Sequence, residues 1–204
     1  MAFPRASAQD LTLTVLVAYA NTHASTAEIA QQIADRLRKS GFRGALRPVD
    51  RIDSLQPYRA VVIGSALHNQ DWLPDAAEFL SKFAGELSTR PVWLFSSCPS
   101  DDTSSSLGTT EAAPIASERP ESAAVVHARK AIRIRDHRQF VGDFERGGWE
   151  SLGDLFSKVC GGLPADPRDF RDINEWASGI ARELQAIDGK RERRRLHMSV
   201  RGRR

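Results

Sequence analysis

Short apolar segments alternate along this chain with segments in which apolar residues recur at helical spacing. The strand-like runs are Leu11–Tyr19, Ala45–Val49, Ala60–Gly64, Val92–Ser96 and Gln139–Gly142. The segments with helical spacing are Thr26–Ser40, Leu73–Phe83, Glu121–Ile132, Trp149–Cys160 and Asp172–Ile187. Such alternation is typical of a parallel sheet that is covered by helices on both faces. The pattern therefore predicts an α/β fold with an open sheet of five parallel strands.

Three of the strand-like runs are almost continuously apolar, namely Leu13–Ala18, Val61–Gly64 and Val92–Phe95. Strands that are buried on both faces lose the alternation of apolar and polar residues. We therefore expect these three runs to form the centre of the sheet, in the strand order 2-1-3-4-5. The run Gln139–Gly142 is short and partly polar, as is typical of an edge strand.

The segment Ser97–Pro120 interrupts this alternation, because it is rich in Ser, Thr, Asp, Glu, Ala and Pro. It predicts a long loop, inserted at residues 97–120 of a domain that spans residues 11–187. The loop leaves the carboxyl end of the fourth strand, where ligands bind in open α/β sheets. A lid over a ligand, a partner-binding element and a tolerated surface insertion all fit this composition.

Length and composition indicate one α/β domain with a sizeable core, since the chain has 204 residues, 41% of them hydrophobic. No apolar run approaches the roughly 20 residues that cross a bilayer. Residues 1–10 have no apolar signal core, and we expect them to be flexible and the protein to be cytoplasmic. The two cysteines, Cys98 and Cys160, fit free thiols in a reducing compartment.

The formal net charge of +3 is unevenly distributed. Residues 190–204 contain eight Lys or Arg and one Glu, so this end carries +7 and the preceding 189 residues carry −4. Such a composition predicts a disordered basic tail over residues 188–204. Weak contact of the tail with nucleic acid or anionic lipid is an alternative to a purely solvated end.

The run Asn21–Thr26 lies between the first strand and the first helix and is rich in hydroxyl groups. Unpaired backbone N–H groups and the helix dipole make a helix N-terminus a site for anions, and Thr22, Ser25 and Thr26 add hydroxyl donors. The alternative is that Ser25 or Thr26 only caps the helix. Two further loops, Ser65–Trp72 and Ser97–Asp102, would meet this one at the switch point between the first and third strands. A planar ring with a phosphorylated side chain would fit there.

Several blocks of the sequence, in this order, resemble the flavodoxin-like proteins. The resemblance is closest to the branch that contains menaquinone-dependent protoporphyrinogen oxidase and its unassigned relatives. The blocks are Val17–Ala20 with Ser25–Ala30, Tyr58–Ala66, Trp72–Ala76, Pro91–Ser97, Asp136–Gly142 and Asp169–Asp172 with Trp176–Ala177.

The resemblance implies non-covalently bound FMN, with its phosphate on the first loop and its ring between the other two. The expected contacts are Asn21, Thr22, His23, Ala24, Ser25, Thr26, Ala66, Leu67, His68, Asn69, Ser97, Cys98 and Pro99. The family usually has Gly where this chain has Ala24, often at Gln70 and commonly at Cys98, and it usually has an aromatic residue at His68. Glycine permits positive φ and close backbone approach to a ligand, so these departures weaken the expectation of FMN.

Three functions follow from this pattern. We favour an FMN-dependent oxidoreductase, for which a quinone, a porphyrinogen or a redox protein is the partner that the resemblance suggests. The alternatives are a non-catalytic electron carrier and a flavin-free binding or regulatory module. A homodimer is compatible with each of them. The sequence contains no Cys/His cluster at zinc-ligand spacing and assigns no catalytic residue.

Overall fold

A computed structural model of the chain describes residues 14–20, 24–99, 121–142 and 170–201. The strands are β1 (Thr14–Ala20), β2 (Arg43–Pro48), β3 (Ala60–His68), β4 (Asp71–Trp72), β5 (Val92–Pro99) and β6 (Ile134–Gly142). The α-helices are α1 (Ala24–Lys39), α2 (Pro74–Lys82), α3 (Ala84–Ser88), α4 (Ala123–Ala128) and α5 (Arg171–Arg201), and a 3₁₀ turn covers Val49–Arg51. The predicted helix Trp149–Cys160 and the expected flexible residues 1–10 lie outside the described residues.

The sheet order among the described strands is β2-β1-β3-β5-β6, and all of these neighbours are parallel. The predicted α/β fold, with its order 2-1-3-4-5, is confirmed. The three most apolar runs form β1, β3 and β5, and each of these strands has a neighbour on both sides. The short β4 was not predicted, and it pairs antiparallel with the end of β3.

The two faces of the sheet carry separate apolar clusters, because successive residues of a strand point to opposite faces. On one face, Val15, Val62 and Phe95 pack with residues of α1 and α5. On the other, Leu16 and Leu94 pack with residues of α2, α3 and α4. The continuous apolar runs of the sequence are therefore explained by burial on both sides.

Gly64 lies in the middle of β3, between Tyr19 of β1 and Phe95 of β5. A Cβ atom at Gly64 would lie 1.9 Å from Cζ of the buried Phe95 ring. That ring also packs against Phe140 and Trp176, with centroid separations of 6.3 and 6.4 Å. The glycine is therefore required by packing and not by backbone conformation.

Several elements differ in length from the prediction. β3 continues beyond Gly64 to His68, and β6 begins at Ile134, five residues before the predicted run. β5 continues through Pro99, into the segment that the sequence indicates as a loop, and the rest of that segment, residues 100–120, is outside the described residues. α4 is shorter than predicted: Ser122 caps its start by accepting a hydrogen bond from the Val125 N–H at 3.3 Å, and the helix ends at Ala128. α5 does not end at Ile187 but continues to Arg201, so the expected disordered tail is helical up to that residue.

The longer α5 has two physical causes. The tail is composed mainly of Arg, Lys, Glu, Leu and Met, which have favourable helix propensities, and no proline interrupts it. Where the tail begins, the carboxylate of Asp188 pairs with the guanidinium of Arg59 at 2.5 Å, which fixes this turn of α5 against the rest of the domain. None of the helices within the described residues is long and apolar enough to cross a membrane.

Replacing Gly64 by Ala should destabilise the fold by about 1–3 kcal/mol or more, since the new methyl group has to displace the Phe95 ring. Gly85→Ala is the matched control, because a Cβ atom there meets nothing within 4 Å. That control lies in α3 and should be neutral or stabilising by up to about 1 kcal/mol. Urea unfolding followed by circular dichroism measures both variants, and equal midpoints for the two would contradict the packing argument.

Deleting residues 189–204 should leave the melting temperature nearly unchanged. The last residues of α5 that belong to the apolar core are Ile180, Ala181 and Leu184, all of which precede the deletion, and Asp188 is retained. Differential scanning calorimetry compares the truncated and full chains. A loss of many degrees would show that the basic end of α5 contributes to the fold.

Candidate functional site

The carboxyl edge of the sheet is stepped, because the central strands end at different levels. Ala20 ends β1 and pairs with Ser65, so Ala66, Leu67 and His68 extend β3 beyond its neighbour. On the other side, β5 extends in register with β3, with Ser97 beside Ala66. The predicted ring-binding positions 66–68 and 97–99 therefore lie on strands, whereas the sequence indicates loops for them.

α1 begins at Ala24, close to the end of β1, and places Ser25 and Thr26 in its first turn. Ser25 is half-buried. Thr26 is fully buried, and its Oγ1 lies 2.7 Å from Oγ of the buried Ser97 on β5. This hydrogen bond connects the start of α1 to the end of β5, so Thr26 already has a protein partner. Asn21, Thr22 and His23 lie outside the described residues.

The first-turn N–H groups of α1 have no carbonyl partner within the helix, and the helix dipole adds positive potential at this end. The first turn contains no acidic residue. Glu28 follows it, and burial raises the pKa of its half-buried carboxyl. The positive end of α1 thus faces the same edge as the extensions of β3 and β5.

A tight hairpin joins β3 to β4 through Asn69 and Gln70. Both residues have positive φ, 52° and 65°, which is the pattern of a two-residue type I′ turn. His68 pairs with Asp71 across the hairpin, and its side chain is exposed. Gln70 thus occupies a conformation that favours glycine, the residue that the flavodoxin-like proteins often have here.

Hydrogen bonds to neighbouring elements hold the hairpin. The Leu73 N–H donates to Oγ of the buried Ser65 at 3.0 Å. Oδ1 of Asp71 accepts the N–H groups of Trp72, at 2.8 Å, and of Ala124, at 3.1 Å. The second of these bonds attaches the start of α4 to the hairpin. The backbone beside the predicted ring positions is thus fixed from two sides.

A second set of hydrogen-bonded polar groups begins at Trp72 of the hairpin and leads away from it, and the sequence did not indicate this set. The Trp72 Nε1–H donates to Ser96 Oγ at 2.8 Å, and Ser96 Oγ lies 2.9 Å from Nε2 of His137. Nδ1 of His137 lies 3.0 Å from Oε1 of Glu121. Arg129 binds both oxygens of Glu121, at 2.6 and 2.9 Å. These partners are far apart in sequence, so no spacing pattern could reveal them.

Electrostatics of this group favour a charged Glu121 and a neutral His137. The hydrogen bonds from Arg129 are the main reason that the pKa of Glu121 is lowered to about 2. Burial is the main reason that the pKa of His137 is lowered, although Glu121 opposes this shift. The residues that the structure describes include no group of His, Cys, Asp and Glu that could hold a metal ion.

The sheet order defines a flavodoxin-like α/β domain. A family model described as a flavodoxin domain matches residues 16–131, more than half of the chain. The chain belongs to this family. None of the curated proteins matches it significantly in sequence.

Solved structures with the same fold include a flavodoxin from the domain Archaea, with a TM-score of 0.57 and 11% identity over 84% of this chain and 99% of that one. Oxidised Flavodoxin 2 from Bacillus cereus has a TM-score of 0.54 and 16% identity, over 83% of this chain and 99% of that one. Rubredoxin oxygen:oxidoreductase from Desulfovibrio gigas gives 0.56 and 18% identity over 85% of this chain, which spans 36% of that protein. The protoporphyrinogen oxidase branch is not among these relatives.

Membership of the flavodoxin family implies FMN, and the described residues fit it at two points. The first turn of α1 offers a phosphate the half-buried Ser25 and N–H groups that have no carbonyl partner within the helix. Small residues line the stepped edge at Ala66 and Ser97, where a flat ring could approach the backbone. The exposed His68 is the last residue of β3 at the same edge.

Replacing Gln70 by Gly should stabilise the protein, because a non-glycine residue at positive φ costs about 1–2 kcal/mol. The greater freedom of Gly in the unfolded chain offsets part of this gain. We expect a net increase of about 0.5–1 kcal/mol in the free energy of unfolding, measured by urea titration. Gln56→Gly, at an exposed position with ordinary φ, is the control and should not stabilise. A destabilised Gln70→Gly variant would show that the glutamine side chain contributes to the turn.

Proposed function

We propose that this chain is an FMN-binding redox protein of the flavodoxin type. The observation that carries the proposal is the convergence, at one switch point, of the N-terminal end of α1 and the extended ends of β3 and β5. In open α/β sheets this is where ligands bind. The phosphate of FMN would lie on residues 21–26, and its ring would lie between the hairpin and residues 97–99. When bound, FMN supplies the redox chemistry.

The protein's own contribution would be binding and orientation. Ser25 and the first-turn N–H groups would hold the phosphate, which would leave Thr26 to connect α1 with β5 through Ser97. The hairpin would place Ala66–His68 beside the ring on a backbone that is fixed by Ser65 and Asp71. Sites on strands and helices are held more precisely than sites on loops.

An FMN-dependent oxidoreductase and an electron carrier both fit this site. The oxidoreductase is favoured, because carriers use a strongly acidic docking face and residues 1–189 carry a net charge of only −4. A quinone, a porphyrinogen or a redox protein as partner rests on the sequence resemblance alone. A flavin-free binding or regulatory module is the alternative to both FMN-dependent activities. It is supported by Ala24, Gln70 and Cys98, which stand at positions where the flavodoxin-like proteins usually or often have Gly.

Ser25→Ala should weaken FMN binding by about 10-fold and leave riboflavin binding unchanged, because only FMN carries the phosphate that the hydroxyl would contact. A lost hydrogen bond to a charged group costs about 1.5–3 kcal/mol, and about 1.4 kcal/mol is tenfold in affinity. Quenching of flavin fluorescence on titration measures both ligands.

Two controls make this test specific. Ser81→Ala, at an exposed position on α2, should leave both affinities unchanged. Thr26→Val should lower the free energy of unfolding, because it leaves the buried Ser97 hydroxyl without its partner. If the wild type does not bind FMN, and the double variant Ala24→Gly/Cys98→Gly does not either, the flavin proposal is wrong and the flavin-free module is favoured. With FMN bound, turnover of NAD(P)H or a quinol separates an enzyme from a carrier.

A further inference from the structure

The hydrogen-bonded polar groups that lead away from Trp72 form a chain with a fixed direction. Trp72 can only donate, through its Nε1–H, and an ionised Glu121 can only accept. Ser96 therefore accepts from Trp72 and has one proton to give, and the atom within reach is Nε2 of His137. The ring proton of His137 is then on Nδ1 and is donated to Glu121. Every hydrogen-bond donor of this chain has an acceptor only while His137 is neutral.

All members of the chain except Glu121 and Arg129 are deeply buried. Ser96 is 0% exposed, Trp72 is 4% exposed and the His137 side chain is 2% exposed. The indole of Trp72 and the imidazole also meet edge to face, with centroids 6.3 Å apart. Water therefore cannot replace a lost partner without movement of one of these elements.

We propose that His137 is a positioning residue for the hairpin, and that its neutral form holds Trp72 in place through Ser96. Protonation would turn Nε2 into a donor and leave the Ser96 hydroxyl proton without its acceptor. Ser96 Oγ would still accept from Trp72 and from a protonated His137, but its own proton would be buried without an acceptor. That penalty would destabilise the closed Trp72–Ser96–His137 arrangement, and with it the hairpin that carries Ala66–Asn69. The consequence for flavin binding rests on the proposed function, whereas the connection to the hairpin does not.

The charged groups around His137 support this direction. Glu121 faces it from the start of α4, but Arg129 already neutralises that carboxylate through two hydrogen bonds. Oδ1 of Asp136, its neighbour on β6, accepts the backbone N–H of His137, while Oδ2 accepts the Trp176 indole N–H at 2.7 Å. A protonated His137 would thus lie beside a carboxylate that is already paired.

The pH range in which the effect should occur follows from the pKa shifts. Burial lowers the pKa of His137 below 6.5, so the unfolded chain takes up this proton before the folded protein does. The stability contributed by neutral His137 is complete above pH 6.5 and is lost as the pH falls through the lower, folded pKa. Glu121, with a pKa of about 2, stays ionised over this range.

Hydrogen exchange of the Trp72 indole N–H and the Leu73 backbone N–H tests the connection without any flavin. NMR follows both protons in the full chain between about pH 5 and 8, with the indole signal assigned by its loss in Trp72→Phe. After correction for the intrinsic pH dependence of exchange, both protons should exchange about 3- to 10-fold faster at the acidic end, the range that corresponds to one hydrogen bond.

Three variants separate a positioning role from a general loss of stability. His137→Gln can still accept from Ser96 but does not titrate in this range, so protection should persist and become independent of pH. His137→Phe removes the acceptor and should reduce protection at every pH. His127→Gln, at an exposed position on α4, is the matched control and should behave like the wild type. Protection that is independent of pH in the wild type, or equal in His137→Phe and wild type, would overturn the proposal.

Binding of riboflavin tests the consequence for the ring, because riboflavin lacks the phosphate, whose own titration would confuse the result for FMN. Wild-type affinity should fall about 3- to 10-fold from about pH 7.5 to 5, and the affinity of His137→Gln should not. Affinity that is independent of pH in the wild type, with pH-dependent exchange, would overturn the part of the proposal that concerns the ring. No flavin binding at any pH would contradict the proposed function, and the exchange data would still decide whether His137 controls the hairpin.

Discussion

The carboxyl edge of this sheet depends on one constraint, which is that its buried hydroxyl groups need partners. The buried polar residues among those described are Thr26, Ser65, Ser96, Ser97 and Ser122. A buried hydroxyl without a partner costs about 1–3 kcal/mol. Their hydrogen-bond partners lie on other elements of this edge. Residues of α1, β6 and the hairpin bond to the serines of β5, the residue after the hairpin bonds to the serine of β3, and Ser122 accepts from the first turn of α4. Polar pairing assembles the edge, whereas apolar packing assembles the rest of the sheet.

This division explains how one sheet is both stable and able to present a site. In the middle of the sheet, the Phe95 ring leaves no room for a Cβ atom at Gly64. At the edge, small serine side chains stand in place of large apolar ones, and each of these buried hydroxyl groups still has a partner. The hydrogen bond between Thr26 and Ser97 fixes α1 relative to β5. The start of α1 and the end of β5 are therefore held at a set distance by the fold itself.

The sequence predicts the parts of the structure that local pattern determines. The run Val15–Ala18 is buried on both faces and lies in a central strand, as its continuous apolar character indicates. The end of β5 was missed because Ser97–Pro99 resembles the polar residues that follow it, and its strand structure depends on pairing with β3 and β6. The hairpin was missed because Asn69-Gln70 lacks the glycine that usually marks such a turn. His137 finds partners at Ser96 and Glu121, and only the folded topology brings these together.

The conformation of Gln70 bears on whether the missing glycines abolish a flavin site. A departure from glycine removes a site only if the backbone abandons the conformation that glycine would adopt. Here Gln70 keeps a φ of 65°, so the turn retains its shape and the cost falls on stability. The bonds of Ser65, Asp71 and Trp72 to neighbouring elements offset that cost, because unfolding the turn would break them. The absence of glycine at this position therefore indicates a hairpin that is strained but still formed. The groups that hold the hairpin by hydrogen bonds, His137 among them, are correspondingly more important to the site.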